Sequence, residues 1–142
     1  MLGNSIKSGL KKGFETTWML GKIIVPIYFF VTFLKYTPVI DWIAEVFEPL
    51  MQIFHLPGEA AIVLVIGNVS TLYGAIGAMK AMSLTPLEAT IIAIMLSFSH
   101  SLFMETAITK KLGMKLSNVL FIRMGLAVIA GLIVSRVGEI LW

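Results

Sequence analysis

The sequence contains no cysteine and few charged residues. Without cysteine the chain has no disulfide bonds, thiolate metal ligands or thiol nucleophiles. Charged residues make up 13% of the 142 positions and hydrophobic residues 58%, whereas about 25% of a soluble domain is charged. Because so few polar side chains cannot cover a water-exposed surface, the composition predicts a single integral membrane domain over residues 1–142 rather than a soluble enzyme.

Sequence motifs of enzymes and nucleic-acid-binding proteins are also absent. The two histidines, His55 and His100, lack the His-Glu-x-x-His spacing of a metalloprotease, and no Gly-x-Ser-x-Gly elbow or phosphate-binding glycine loop occurs. The net charge of +3 comes from basic residues at the ends of apolar runs, which favours lipid headgroups over nucleic acid as the partner. We therefore predict no catalytic residue, no metal and no cofactor.

The N-terminal part divides into a membrane span between two amphipathic segments. Residues 1–17 place apolar side chains at four-residue spacing beside lysines, which predicts an amphipathic helix on the bilayer surface. Residues 18–36 are long enough to cross, at about 20 residues per span, and we interpret them as a retained helix rather than a cleaved signal. Residues 39–54 carry an apolar and an acidic face, typical of an interfacial helix.

Residues 57–82 consist of two apolar halves separated by Gly67-Asn68-Val69-Ser70-Thr71. Glycine and asparagine favour a break, a serine or threonine can cap a new helix, and each half is too short to cross alone. The pattern predicts a re-entrant helical hairpin. A single continuous span with a polar interruption remains an equal alternative.

Residues 86–112 begin with a good helix entry, Thr85-Pro86, and are predicted to form a broken span. Their apolar run leads into polar residues 97–101, at a depth where ionisable groups are costly unless they face protein or water. On a regular helix one stripe would hold the polar residues that recur every fourth position, Ser97, Ser101, Glu105 and Thr109. His100 could instead bond a neighbouring carbonyl, and Glu105 could pair with Lys110 or Arg123.

Residues 117–137 form the last predicted span, whose glycines and alanines allow close helix packing. Arg123 lies about two turns inside it. Snorkelling to the headgroups or pairing with a carboxylate explains this position, and contact with a substrate is the alternative.

Two adjacent breaks within a bilayer have a functional meaning. Lipid cannot satisfy exposed peptide groups, so interrupted backbone survives only where protein encloses it or where it lines a water-filled cavity. Secondary transporters form substrate sites in this way from the ends of half-helices.

The segments GNVSTLYGAIGAM and SFSHSLFMETAITKKLG resemble the nucleoside-recognition, or Gate, domain family. This family includes the small spore maturation proteins A and B, and it is related to the gate of ferrous iron transporter B and to one repeat of concentrative nucleoside transporters. The resemblance covers about residues 18–140 by order of elements. Most of it is carried by Ser99, His100, Glu105, Thr106, Ala107, Lys110 and Lys111.

The resemblance implies an all-α membrane fold equivalent to one half of an inverted-repeat transporter. That half has three spanning helices, one of them broken, together with a re-entrant hairpin and interfacial helices. It also implies that substrate contacts lie at the hairpin tip and at the break. With two polar neighbours included, the candidate substrate-binding residues are Gly67, Asn68, Ser70, Thr71, Ser97, Ser99, His100, Ser101, Glu105 and Thr106.

The distribution of basic residues predicts the orientation. With a re-entrant hairpin, seven Lys residues lie on the N-terminal side, and three Lys or Arg residues lie on the other. This asymmetry favours a cytoplasmic N-terminus in a multi-pass protein of the bacterial cytoplasmic (inner) membrane. An inverted-repeat unit needs an upside-down partner, so we expect a homodimer, including an antiparallel one, or a heterodimer with a homologous half.

Three functional hypotheses follow. The first is a transporter-like half-unit that binds or moves a small polar solute or ion. The second is a non-transporting structural or assembly protein of the envelope or spore-maturation type; it would have the breaks sealed by packed Gly, Ala and Phe side chains rather than opening on a cavity. The third is an intramembrane enzyme using His100 and Glu105, which point about 140° apart on a regular helix and would need a break between them.

Overall fold

The structure is a computed structural model that describes the backbone of residues 2–141 and their side chains except at positions 2, 3, 103, 106, 107, 110, 111 and 141. All regular elements in this part of the chain are helical, as the sequence predicts. They are α1 (Leu2–Lys35), α2 (Pro38–Met51), a one-turn 3₁₀ helix (Gln52–Phe54), α3 (Ala60–Val69), α4 (Leu72–Ala81), α5 (Pro86–Ser99), α6 (Leu102–Lys111) and α7 (Leu116–Leu141).

Helix α1 is continuous over 34 residues. It runs through residues 17 and 18, where the sequence analysis placed a change from a surface helix to a span, so that boundary does not interrupt the helix. The hydroxyl of Thr17 donates to the carbonyl of Gly13, a bond that a helix accommodates. The position of residues 1–17 on a bilayer surface stays a prediction.

Helix α2 begins with Pro38 at its first turn, where the missing N–H is harmless. It passes through Pro49 and continues into the 3₁₀ helix, so the predicted amphipathic segment 39–54 is helical throughout. His55 then adopts the left-handed conformation, with φ of 54°, and turns the chain toward α3.

Helices α3 and α4 are separate and pack against each other. Thr71 caps α4 by accepting a hydrogen bond from the Gly74 amide, and Ser70 lies outside the helical region at φ −99° and ψ −105°. The chain therefore does not form one uninterrupted helix here. The predicted interruption at 67–71 is too wide, because Gly67 and Asn68 still belong to α3. The re-entrant course of the pair in a bilayer stays a prediction.

Helices α5 and α6 are also separate, with the break at His100 and Ser101. Thr85 and Glu88 form a reciprocal capping box at the start of α5, which confirms the predicted helix entry. Ser97 and Ser99 remain helical, so this interruption is also narrower than predicted.

Close contacts through small residues set the helix packing. Helix α4 packs on α1, α5 packs on α7, and α3 contacts both α4 and α5. At the α1–α4 contact a Cβ atom on Gly77 would lie 2.7 Å from the Ile24 carbonyl oxygen, so only glycine fits. Farther along, the Lys35 ammonium donates to the Ala81 carbonyl at 3.1 Å. The fully buried side chains of the common core include Val31, Val63, Ile91, Ile92 and Leu96.

Two of the described helices are long and apolar enough to cross a membrane, namely α1 over Asn4–Lys35 and α7 over Leu116–Ile140. In the most apolar 18-residue stretch of each helix, only 6% (α1) and 17% (α7) of the residues are buried, so neither is the central helix of a water-soluble core. Their outward faces carry large apolar side chains, including Phe29 at 72% and Phe121 at 82% exposure. Such extended apolar surface suits contact with lipid or with another chain.

Candidate functional site

The two helix breaks contact each other directly. The Ser101 amide donates to the Gly67 carbonyl at 2.9 Å, and the Ser101 hydroxyl donates to the Ser70 carbonyl at 3.2 Å. The structure thus places the α3–α4 and α5–α6 junctions side by side, and backbone groups that the helices leave free are bonded across them. We call the two junctions, together with the helix ends that flank them (Gly67–Thr71 and Ser99–Leu102), the paired breaks.

Ser101 holds a strained conformation at the centre of the paired breaks. Its φ of 51° lies in the left-handed region, which costs about 1–2 kcal/mol for a residue with a Cβ atom. The two hydrogen bonds from Ser101 to the α3–α4 junction offset this cost. The turn lies between the end of α5 at Ser99 and the start of α6 at Leu102.

Arg123 reaches from α7 to the same place and closes the end of α5. Its Nε donates to the Phe98 carbonyl at 2.8 Å, and one Nη donates to the His100 carbonyl at 2.9 Å. The other Nη lies 2.7 Å from a Glu105 carboxylate oxygen, as an ion pair without well-aligned hydrogen-bond geometry. Carbonyls at a helix C-terminus lack intrahelical partners, so Arg123 caps α5 and ties it to α6. Pairing with a carboxylate, one of the predicted explanations for Arg123, is confirmed.

His100 bonds both its own helix and Glu105. Its Nδ1 lies 2.7 Å from the Leu96 carbonyl oxygen, and its Nε2 lies 3.3 Å from the other Glu105 oxygen. Since a carbonyl only accepts, Nδ1 carries the hydrogen in this contact, and the ring lies between the end of α5 and the carboxylate of α6. The break lies between the two residues and brings them together, as the enzyme hypothesis requires.

The remaining candidate residues fall into three groups. Gly67 and Ser70 contribute backbone carbonyls to the paired breaks, and Thr71 caps α4. Ser97 and Ser99 donate to carbonyls one turn earlier in α5, at 2.8 and 3.0 Å. The side chain of Thr106 lies outside the described residues. The predicted polar stripe through Ser97, Ser101, Glu105 and Thr109 is wrong, because the break at Ser101 ends the regular helix.

An apolar cavity of about 540 Å³ lies beside the paired breaks. Side chains of α2, the 3₁₀ helix, α3, α5 and α7 line it, together with Leu102 at the start of α6. Among the described residues of the lining, only Asn68 and Ser99 are polar. The Asn68 amide nitrogen donates to the Leu64 carbonyl at 2.7 Å, whereas its Oδ1 is closed to solvent and has no partner. The wall of the cavity therefore contains one buried hydrogen-bond acceptor without a partner.

A second polar cluster was not predicted from the sequence. His55 Nδ1 lies 2.7 Å from the Ser135 hydroxyl, and Nε2 lies 3.0 Å from a Glu139 oxygen, whose carboxylate also approaches Arg136 at 3.7 Å. Ser135 is fully buried, which closes its hydroxyl to any substrate. We call His55, Ser135 and Glu139 the corner clasp, because they tie the turn after α2 to the end of α7.

We expect Ser135→Ala to lower the free energy of unfolding by about 1 kcal/mol, since it removes one hydrogen bond of the corner clasp. Detergent-solubilised protein titrated with SDS and followed by circular dichroism would measure the change. Ser117→Ala is the matched control, because Ser117 is exposed and makes only a 3.5 Å contact with the next residue. Equal midpoints for the two variants would contradict a stabilising role of the corner clasp.

These features define an all-helical membrane protein in which two discontinuous helix pairs meet at their breaks. The chain belongs to the Gate family, described as nucleoside recognition, which matches residues 17–139. The family predicted from the sequence is confirmed.

Two curated relatives extend this result. The chain is 42% identical over 130 residues to the uncharacterized membrane protein YvoD of Bacillus subtilis, which covers 92% of this chain and 42% of YvoD. It is 37% identical over 71 residues to the inner membrane protein YjiG of Escherichia coli K12, which covers 49% of this chain and 45% of YjiG. The chain thus matches less than half of the length of either relative. No solved structure matches it significantly.

Proposed function

We propose that this chain is a transporter-like half-unit, which assembles with itself or with a homologous half to bind or move a small solute. The observation that carries the proposal is the contact between the two breaks through Ser101, Gly67 and Ser70. Non-helical backbone at membrane depth is tolerated only inside protein or beside a cavity. Secondary transporters place their solute sites where discontinuous helices meet in this way.

The cavity beside the paired breaks supports a solute site. Its volume of about 540 Å³ falls within the range of about 300–1,000 Å³ that is usual for small-molecule pockets. Its apolar lining favours a solute with a largely apolar surface over a bare ion. A hydrogen-bond donor on the solute would satisfy Asn68 Oδ1 once the neighbouring side chains move aside, and an unpaired buried acceptor costs about 1–3 kcal/mol.

The relatives and the exposed helix faces support assembly from two halves. The matched region is 42% of YvoD, so the remainder of that protein is long enough to hold a second unit of similar size. In this chain the exposed apolar faces of α1 and α7 are available to a partner as well as to lipid. We keep the cytoplasmic N-terminus as part of the proposal, because seven Lys residues lie on that side in the predicted topology.

The structural or assembly role is the second candidate, and one observation favours it. Arg123 bonds the Phe98 and His100 carbonyls, and Ser101 bonds the Gly67 and Ser70 carbonyls, so these free peptide groups of the paired breaks have partners within the chain. A sealed break of this kind needs no transport to explain it. Binding of a solute in the cavity therefore distinguishes the transporter-like half-unit from the structural or assembly role.

Ligand binding to the purified protein tests the proposal. The probes are small aromatic amines, which combine an apolar surface with hydrogen-bond donors, and the more polar nucleosides uridine and adenosine, which the family description suggests. We expect at least one probe to raise the melting temperature of the wild type in detergent. Asn68→Leu should weaken that binding by about tenfold or more, because it removes the acceptor and fills part of the cavity.

Ser97→Ala is the matched control, since Ser97 lies in α5 but outside the cavity lining. It should bind the probe as the wild type does. Equal weakening in both variants would remove the cavity as the site. No stabilisation by any probe, together with no solute flux in proteoliposomes, would favour the assembly role.

A further inference from the structure

Three oxygen atoms of the broken helix converge on one guanidinium. The Phe98 and His100 carbonyls lie 2.8 and 2.9 Å from Arg123 nitrogens, and a Glu105 carboxylate oxygen lies 2.7 Å away. Backbone carbonyls plus a carboxylate are the ligand set that proteins use for hard cations. The C-terminal end of a half-helix also carries the negative end of the helix dipole. The position that a free cation would favour is thus filled by a side chain of α7.

We propose that Arg123 is a tethered cation, which occupies from α7 a cation site built into the α5–α6 break. Removing the guanidinium leaves a pocket of its own size that takes up a free guanidinium from solution. If the proposed solute site moves a solute, the charge of Arg123 then takes the place of a coupling cation from solution at this break. That last consequence rests on the proposed function, whereas the cation site itself does not.

The contact geometry requires the separate N–H donors of a planar guanidinium rather than a single point charge. The Nε and one Nη of Arg123 bond two different carbonyls, while the second Nη faces Glu105. A planar guanidinium meets such acceptors at fixed directions, but a lysine ammonium acts as a single flexible charge and would satisfy only part of the set. The side chain of Arg123 is 16% exposed, compared with 65% for Arg136, so only Arg123 is enclosed by its partners.

The local charge balance explains why an empty pocket would bind a cation. Without Arg123, Glu105 would stand beside two carbonyl oxygens with His100 as its only other described polar partner. The carboxylate would lose its ion pair with Arg123, and the Phe98 and His100 carbonyls would lose their N–H donors. A free cation of matching shape would restore the lost contacts.

Chemical rescue of Arg123→Ala in the full chain tests the proposal. In detergent we expect the melting temperature to fall by on the order of 5 to 10 °C. Millimolar methylguanidinium chloride should recover most of this loss in a saturable manner. Tetramethylammonium chloride at equal ionic strength should not, because it lacks N–H donors. The wild type should respond to neither salt.

Arg136→Ala is the matched control, since Arg136 lies on the same helix in an exposed ion pair. Absence of rescue in Arg123→Ala, or equal rescue of both variants, would overturn the proposal. If Arg123→Ala does not fold in any salt, Arg123→Lys decides: a lowered melting temperature supports the requirement for a planar guanidinium, and wild-type stability overturns it. The assay contains no solute, so its outcome is independent of whether the cavity binds one.

Discussion

Replacing Gly77 by leucine is expected to force α4 away from α1 and to lower the free energy of unfolding by about 3 kcal/mol. A Cβ atom at this position would lie 2.7 Å from the Ile24 carbonyl oxygen and 3.4 Å from the Ile24 Cα and the Tyr28 amide nitrogen. These are backbone atoms of a helix, which cannot rotate away as a side chain can. Helices in membranes rely on such close approach, because lipid provides no hydrophobic force between them.

Gly21→Leu is the control for this prediction. Gly21 lies in α1, and a Cβ atom there would meet nothing within 4 Å. We expect this variant to be neutral or more stable by up to about 1 kcal/mol, since leucine favours helix more than glycine does. SDS titration followed by circular dichroism measures both variants. Similar losses in the two would show that the α1–α4 contact does not depend on Gly77.

Ser101→Val should lower the free energy of unfolding by about 3 kcal/mol. A β-branched residue strongly disfavours a positive φ, and valine also lacks the hydroxyl that bonds the Ser70 carbonyl. The expected result is a chain in which the α5–α6 junction no longer fits against the α3–α4 junction. The same SDS titration measures the loss, and probe binding to the cavity should weaken with it.

Ser101→Gly separates the two causes. Glycine adopts the left-handed conformation readily and keeps the amide that donates to Gly67, so only the hydroxyl bond is lost. We expect a change within about 1 kcal/mol. If valine proved as well tolerated as glycine, the turn at Ser101 would not control how the breaks meet.

Much of the helix order could be predicted from the sequence because each boundary has a local cause. Thr85-Pro86 with Glu88 is a complete start signal, and the structure has a capping box there. The widths of the breaks could not be predicted as well. Ser97 and Ser99 suggested irregular backbone, but each hydroxyl bonds a carbonyl one turn earlier and the helix continues.

The N-terminal boundary shows the limit of amphipathic patterns. The apolar spacing in residues 1–17 indicates which face of the helix turns away from water, but it does not indicate where the helix ends. A stop needs a proline, a glycine cap or a competing side-chain bond. None of these interrupts the chain at Thr17 and Trp18, so one helix includes both segments.

The contacts of the site required the tertiary structure. An ion pair of Glu105 with either Lys110 or Arg123 could be predicted because an ionisable group at membrane depth needs a partner, and the structure shows the contact with Arg123. The corner clasp could not be predicted, because His55 and Ser135 are 80 positions apart and periodicity describes one helix at a time. The cavity lining likewise depends on how α2, α3, α5 and α7 come together.

The length of α1 has a mechanical consequence. Its 34 residues extend about 50 Å at 1.5 Å per residue, whereas the hydrocarbon core is about 30 Å thick. Helix α1 is held near its C-terminal half by Gly77 of α4 and by the Lys35–Ala81 bond. Its lysine-rich N-terminal half extends beyond these contacts, with Lys7 about 25 Å from Ile24 along the helix. A tilt of α1 at its contact with α4 would therefore move Lys7 farther than it moves Ile24.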